Sequence, residues 1–254
     1  MQRFEKILFI ADPIADAAPA LRRAVGLAHS NEGQLTIATV SKEIPSSLSD
    51  IEEELLRLLE EKVQALIAGQ PVQGVTIETL HFTGTPFLQI VKEVLRNKHD
   101  LVIKPTEGRG GIASMLFGST DMHLLRKCPC PVWVIKPSKK KKYARILATV
   151  DPDPSEKAGA ELNKLILDLA TSLAYRDKSE LHIMHAWTMS HESTLRSGRA
   201  QLPMSDVDRL VRDTRKAHKK WLAALLGDYD LDSLSVKVHL QKGEPGDVIP
   251  AVAR

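Results

Sequence analysis

One pattern constrains this chain more than any other: it repeats itself. Phe4-Glu5-Lys6-Ile7-Leu8-Phe9-Ile10-Ala11-Asp12-Pro13 aligns with Tyr143-Ala144-Arg145-Ile146-Leu147-Ala148-Thr149-Val150-Asp151-Pro152, 139 residues later. Each copy reads as an aromatic residue, a basic residue, a short apolar run and Asp-Pro. Leu35–Val40 matches Leu181–Ala186, and Gly84-Thr85-Pro86 matches Gly243-Glu244-Pro245 at an offset of 159. The second copy therefore carries about twenty additional residues between these landmarks. Self-similarity over this length means a duplicated domain, and it limits the folds to those that one copy can build alone.

Within the first copy the hydrophobic period alternates between two and 3.6. Apolar runs at Phe4–Ala11, Leu35–Val40, Val75–Phe82, Leu101–Ile103 and Val132–Ile135 suit strands covered on both faces. Between them lie helical stripes: Leu21, Val25 and Ala28; Leu48, Ile51, Leu55, Leu58, Leu59 and Leu66; Pro86–Arg96; and Ser119–Arg126. Glu52, Glu53 and Glu54 stand near the start of the second stripe, where the helix dipole favours carboxylates. Strict β-α alternation predicts an open parallel sheet with helices on both faces, wound right-handedly. The second copy predicts strands at 143–150, 181–187 and 234–240, helices at about 155–174 and 204–226, an irregular stretch, and a last helix start. By the offset of 159 its fourth strand would begin near 259, so the second copy is expected to lack its fourth and fifth strands here, whether as a fragment, a truncated gene product or a genuine half-domain. The fold class is thus α/β, with two tandem open parallel sheets. The domains are 1–138, a basic linker at 139–142, and 143–254. The Lys139–Lys142 run reads as a solvated hinge, with a phosphate-binding patch as the sharper alternative.

Composition narrows the function classes. Lys plus Arg number 35 against 32 acidic residues, a net charge of +3. That is too mild for a general nucleic-acid binder. Aromatic residues are 4% of the chain, few for a base-stacking platform. Two cysteines cannot form a disulfide framework and point to a reducing, cytoplasmic setting. The apolar run Ile7–Ala11 is far too short for a signal or a membrane span, and no segment reaches about 18 apolar residues.

The chemistry concentrates at Leu101-Val102-Ile103-Lys104-Pro105-Thr106-Glu107-Gly108-Arg109-Gly110-Gly111 and on to Gly118-Ser119-Thr120. A strand ends, a glycine-rich loop follows and a helix opens. Glycines let backbone N–H groups approach an anion, and the helix N-terminus adds free donors and partial positive charge. No Gly-Lys-Ser/Thr closes the loop, so it is not a Walker A motif, and Gly-x-Gly-x-x-Gly is absent. The plain alternative is a surface loop with Ser119 capping its helix. Cys128 and Cys130 read as a redox pair, metal ligands or small core residues; two residues apart is poor disulfide geometry, and burial beside the last strand is favoured. His182 and His185 alternate across a strand and make a poor metal pair. His185 with His191, and His123 near a phosphate, are weaker candidates. No Ser-His-Asp arrangement or His-Glu-x-x-His signature stands out.

On these residues the chain resembles the universal stress proteins. Their nucleotide-binding members carry Gly-x2-Gly-x9-Gly-Ser/Thr, and Gly108, nine residues and Gly118-Ser119 fit its last two-thirds; Pro105 replaces the first glycine. The run Leu124-Leu125-Arg126-Lys127-Cys128-Pro129, followed by Pro131–Lys136, and the segment Pro19–Val25, are similar to the tandem E-type branch of bacteria. The resemblance spans both copies. It implies the adenine-nucleotide α-hydrolase-like fold. It implies an adenosine contact at Asp12, matched by Asp151, and an adenine contact at the backbone of Val40. It implies a ribose and phosphate cradle at Gly108, Gly118, Ser119 and Thr120, with Arg109 as the nearby charge. The implied cofactor is ATP with Mg. Pro105 removes one donor from the cradle, and Pro13 stands where many relatives have glycine.

Three functions follow as expectations. The first is a stress-response module that binds a small phosphorylated ligand, with no dedicated catalytic base. The second is a weak nucleotide hydrolase using Arg109 for charge stabilisation, for which no magnesium carboxylate is identifiable. The third is a ligand-free interaction scaffold. The resemblance also implies self-association through the fifth strand, Val132-Trp133-Val134-Ile135; composition and the short apolar runs lead to an expectation of no nucleic acid and no integral membrane contact.

Overall fold

The computed structural model describes residues 4–11, 16–45, 49–106, 118–136, 142–155, 157–197 and 202–253. The chain divides into two compact units, Met1–Lys141 and Lys142–Arg254. In the first unit the elements are β1 (Lys6–Ile10), α1 (Ala18–Asn31), β2 (Gln34–Ser41), α2 (Ser49–Ala68), β3 (Thr76–Thr83), α3 (Pro86–Asn97), β4 (Leu101–Pro105), α4 (Ser119–Lys127) and β5 (Val132–Ile135). Its sheet has the order β3-β2-β1-β4-β5, and all its pairings are parallel. The order reverses between β1 and β4. Diverging connections leave a crevice there, beyond the carboxyl ends of the strands.

Alternation along each strand sends side chains to two faces. Leu8, Ile10, Ala38 and Val102 pack with Ile90 and Val94 of α3 and Leu124 of α4. The opposite set, Ile7, Phe9, Leu35, Ile37 and Ile103, is also fully buried, on the side of α1. β1 and β4 are thus covered on both faces, as their unbroken apolar runs predict. Lys104 and Asp121, both charged, sit inside this buried lattice.

The second unit contains β6 (Arg145–Thr149), α5 (Lys157–Asp177), β7 (Glu180–Trp187), α6 (Glu192–Arg196), α7 (Met204–Leu226), β8 (Val236–Lys242) and α8 (Pro245–Val252). Among the described residues its parallel sheet has three strands, in the order β6-β7-β8. The short α6 falls in the stretch read as irregular from sequence. Its ends are tied by Arg196 to Glu192 at 2.9 Å, and Glu192 also meets Lys242, the last residue of β8, at 2.7 Å. Those charge pairs stabilise a turn that no apolar periodicity announces.

The two units repeat one another in backbone detail. Gln34 N–H donates to Glu5 O at 2.7 Å, and Glu180 N–H to Ala144 O at 3.0 Å. Ala11 N–H donates to Ala38 O, and Val150 N–H to Met184 O, at 2.8 and 2.9 Å. Gly84 and Gly243 both adopt the left-handed side of φ, at 129° and 143°. Their N–H groups close onto Ser41 O and Trp187 O, and each precedes a helix with proline in its first turn. A side chain at either glycine would be strained by φ alone. The matching Gly-x-Pro triplets are therefore one turn used twice.

Candidate functional site at the carboxyl edge of the first sheet

The site expected from sequence is built from the ends of β1, β2 and β4 and the start of α4. Asp12, Gly108 and Arg109 lie outside the described residues. Val40, Gly118, Ser119 and Thr120 lie within them, and the fold brings Val40 and the start of α4 to the same edge of the sheet.

Gly118 is the N-cap of α4, in extended conformation. The next turn, Ser119, Thr120 and Asp121, has N–H groups without intrahelical acceptors by the geometry of a helix. Ser119 is exposed and Thr120 half-buried. Asp121 stands at the third helical position and accepts the Gly118 N–H at 3.2 Å through Oδ2. This is the returning half of a capping box, and it fixes the angle at which the chain enters the helix. The other carboxylate oxygen meets Lys104 Nζ, from β4, at 2.9 Å, with the two side chains 0% and 3% exposed. Lys104 Nζ also donates to Pro105 O at 3.2 Å. The pair clamps the start of α4 to the end of β4. It also cancels the charge of Asp121, so the helix N-terminus keeps its positive potential for an outside anion. Arg126 and Lys127 complement the opposite pole of α4.

Val40 directs its side chain into the α3–α4 face, against Leu8, Ile10 and Ala38. Its backbone is therefore what meets the edge. The neighbouring Thr39 points the other way, into a cavity of about 350 Å³ that runs from Ala11 past Ala17 to Leu59, Lys62 and Leu66. A second cavity of about 300 Å³ continues along α2 to His81. His81 bridges two hydroxyls of β2, with Nδ1 at 2.8 Å from Thr39 Oγ1 and Nε2 at 3.1 Å from Ser41 Oγ. Burial pushes its pKa below the ordinary histidine value, the more distant Glu52 acting weakly against that.

Sequence reasoning left Lys104, Asp121 and His81 without a role. A lysine inside an apolar strand run, and an acid three residues after Gly118, were the available signals for the first two. His81 carried none. His123 stacks on Phe87 of α3, with centroids 4.5 Å apart, and so packs the helix pair.

The equivalent edge of the second unit is different. Asp151, the repeat partner of Asp12, is largely exposed, and its backbone is held by Asn163: Asp151 N–H donates to Asn163 Oδ1 at 2.9 Å, and Asn163 Nδ2 donates back to Asp151 O at 2.5 Å. A cavity of about 520 Å³ lies beside it, lined by Asp153, His185, Trp187, Thr214 and His218 among others. The sequence pairing of His185 with His191 is not realised. His185 Nδ1 lies 3.1 Å from Val150 O, and its Nε2 lies 2.8 Å from His218 Nδ1. A carbonyl only accepts, so Nδ1 of His185 carries a proton, and in the neutral ring Nε2 accepts from His218. Burial holds the pKa of His185 below the ordinary value, against the pull of Val150 O and Asp151. Asp153 is held below the usual carboxylate range by the backbone N–H and hydroxyl of Ser155. Among the described residues no group of three or more His, Cys, Asp or Glu side chains is arranged to hold a metal ion.

Cys128 and Cys130 are free and half-buried rather than enclosed, with sulfurs 3.7 Å apart. The Cys130 thiol facing it lowers the pKa of Cys128 to about 7, despite burial. The same contact and burial push Cys130 up.

Universal stress protein E of Salmonella typhi is 29% identical over 268 aligned positions, covering 100% of this chain and 82% of that protein. Universal stress protein E of Escherichia coli K12 is 28% identical over the same coverage. A solved structure of a functionally unknown protein from Pseudomonas aeruginosa PAO1 superposes with a TM-score of 0.68 at 21% identity, covering 99% of this chain and 78% of that one, which supports the fold. The model of the universal stress protein family matches residues 3–136, just over half the chain, and with the repeat in sequence and backbone this places the chain in the universal stress protein family.

Proposed function

We propose that this protein is a stress-response regulatory module that binds a nucleotide, ATP with Mg, at the carboxyl edge of the first sheet. The observation that carries the reading is the start of α4. It is an exposed helix N-terminus with a glycine cap, clamped by a buried Lys104–Asp121 pair, beside the strand-order reversal. Such a terminus offers several N–H groups and a fixed partial charge to a phosphate. Gly118, Ser119 and Thr120 would meet the phosphates, with Gly108 and Arg109 from the loop. Asp12 and the backbone of Val40 would meet the nucleoside. The cavity at Ala11, Thr39 and Leu66 suits the apolar side of a planar ring. Binding of this kind works by conformation and needs no general base.

The test is equilibrium binding of Mg-ATP to the purified chain and to Gly118→Val, whose branched side chain would crowd the phosphate approach. The expected result is saturable binding by the parent chain, weakened at least about tenfold in the variant, with both equally folded by circular dichroism. Failure of the parent chain to bind at millimolar ATP would remove the reading.

The same proposal includes self-association of the first unit through β5, the outer strand next to β4, and residence in the cytoplasm, where two unpaired thiols are stable. Among the described residues no helix is long and apolar enough to cross a membrane.

A further inference from the structure

We propose that Cys128 and Cys130 form a two-thiolate chelate for a thiophilic d10 cation of the zinc class, at the opposite end of α4 from the nucleotide site. The first argument is distance. A tetrahedral zinc ion with Zn–S bonds of about 2.3 Å spans two of its sulfurs by about 3.8 Å, and the two sulfurs lie 3.7 Å apart. The separation of the sulfurs already matches that of two ligands on one ion. The second argument is preorganisation. Cys128 is the C-cap of α4, its N–H bonded to Leu124 O at 2.9 Å. Pro129 fixes its own φ. On the far side Pro131 O accepts the Val102 N–H of β4 at 3.0 Å. The four residues that carry the thiols are thus pinned to a helix end and to the central sheet, and little chain entropy is lost when the sulfurs share a ligand.

The third argument is exposure. Cysteines that only pack are among the most buried residues in proteins. These two rest against the core formed around Leu124 and Val102, yet both keep part of their surface in solvent and their sulfurs face one another. A filler role explains neither the exposure nor the mutual orientation. Two thiolates occupy half of a tetrahedral shell, so two positions stay open to solvent or to a small ligand, and the ion is exchangeable rather than structural. The cation displaces the two thiol protons as it binds. No electrons are transferred.

The chain has two cysteines, so every thiol signal reports this pair. The experiment is anaerobic titration of the reduced chain with cobalt(II), the spectroscopic stand-in for zinc. The expected result is a near-ultraviolet thiolate-to-cobalt band that saturates at one equivalent, is bleached by zinc, and is lost in both Cys128→Ser and Cys130→Ser. A second measurement needs no variant: stoichiometric zinc should slow the reaction of both thiols with Ellman's reagent by about tenfold or more, and a chelator should restore it. Absence of the band, or thiol reactivity indifferent to zinc, would overturn the proposal. Neither readout depends on nucleotide binding.

Discussion

At the scale of single residues, the second unit contains the most informative histidine. His185 is 1% exposed and donates from Nδ1 to Val150 O. Its Nε2 meets His218, and Asp151 and Asp153 are the acids that face it. Burial dominates and keeps its folded pKa below the unfolded value of about 6.5. The unfolded chain therefore takes up the proton first as the solution is acidified. Stability from this residue is fully present above about pH 6.5 and falls as pH drops from there toward the folded pKa. His81 and His239 are shifted in the same direction, chiefly by burial, so the contribution is best isolated by difference. His185→Gln should lose less stability than the parent chain between about pH 6.5 and 5 in urea unfolding. Parallel pH profiles for the two proteins would show that His185 does not carry the effect.

At the scale of elements, the join between β4 and α4 decides how the candidate site is presented. Lys104 and Asp121 are both buried, and each is the other's charge partner. Removing Lys104 leaves Asp121, whose side chain is 0% exposed, as a buried charge without its ion-pair partner, which costs about 3–5 kcal/mol. Lys104→Met is expected to destabilise the first unit on that scale, and Asp121→Asn to destabilise it by the loss of the ion pair and of the Gly118 N–H contact. The double variant should cost clearly less than the sum, because the two single changes remove the same interaction. Additive effects below about 1 kcal/mol each would mean that the clamp is not energetically coupled. A helix freed from the clamp would also lose the fixed direction of its N-terminal donors, so these variants should weaken Mg-ATP binding as well as stability.

At the scale of the whole molecule, the outer edge of β5 is the open question of assembly. Val102 N–H bonds to Pro131 O and Thr106 N–H to Ile135 O. The backbone groups of odd-numbered residues thus face β4, and those of Val132 and Val134 face outward. An apolar edge with outward N–H and C=O groups is a template for another strand. The self-association we propose predicts a dimer in sedimentation equilibrium. Val134→Pro removes one outward donor without touching a bond to β4, and should shift the protein to monomer while leaving its circular dichroism unchanged. A monodisperse parent monomer at tens of micromolar would count against a β5 interface.

Much of this molecule is legible in the sequence for a simple reason. Duplication, strand–helix alternation and Gly-x-Pro turns are local patterns, and each local conformation is set by neighbouring side chains: φ at Gly84 and Gly243, the apolar stripe of α3, the unbroken runs of β1 and β4. Those patterns also pointed to Gly118, Ser119 and Thr120, because a glycine before a polar helix start reads the same in any context. What sequence could not supply are contacts between residues far apart in the chain. Lys104 of β4 meets Asp121 of α4, His185 of β7 meets His218 on α7, His81 bridges hydroxyls on another strand, and Glu192 of the short helix α6 meets Lys242 at the end of β8. These partners are chosen by sheet order and register, which place distant residues a few ångströms apart only after the chain has packed. Burial then makes the pairing obligatory, since an unpaired charge inside a sheet core would cost more than the fold could spare.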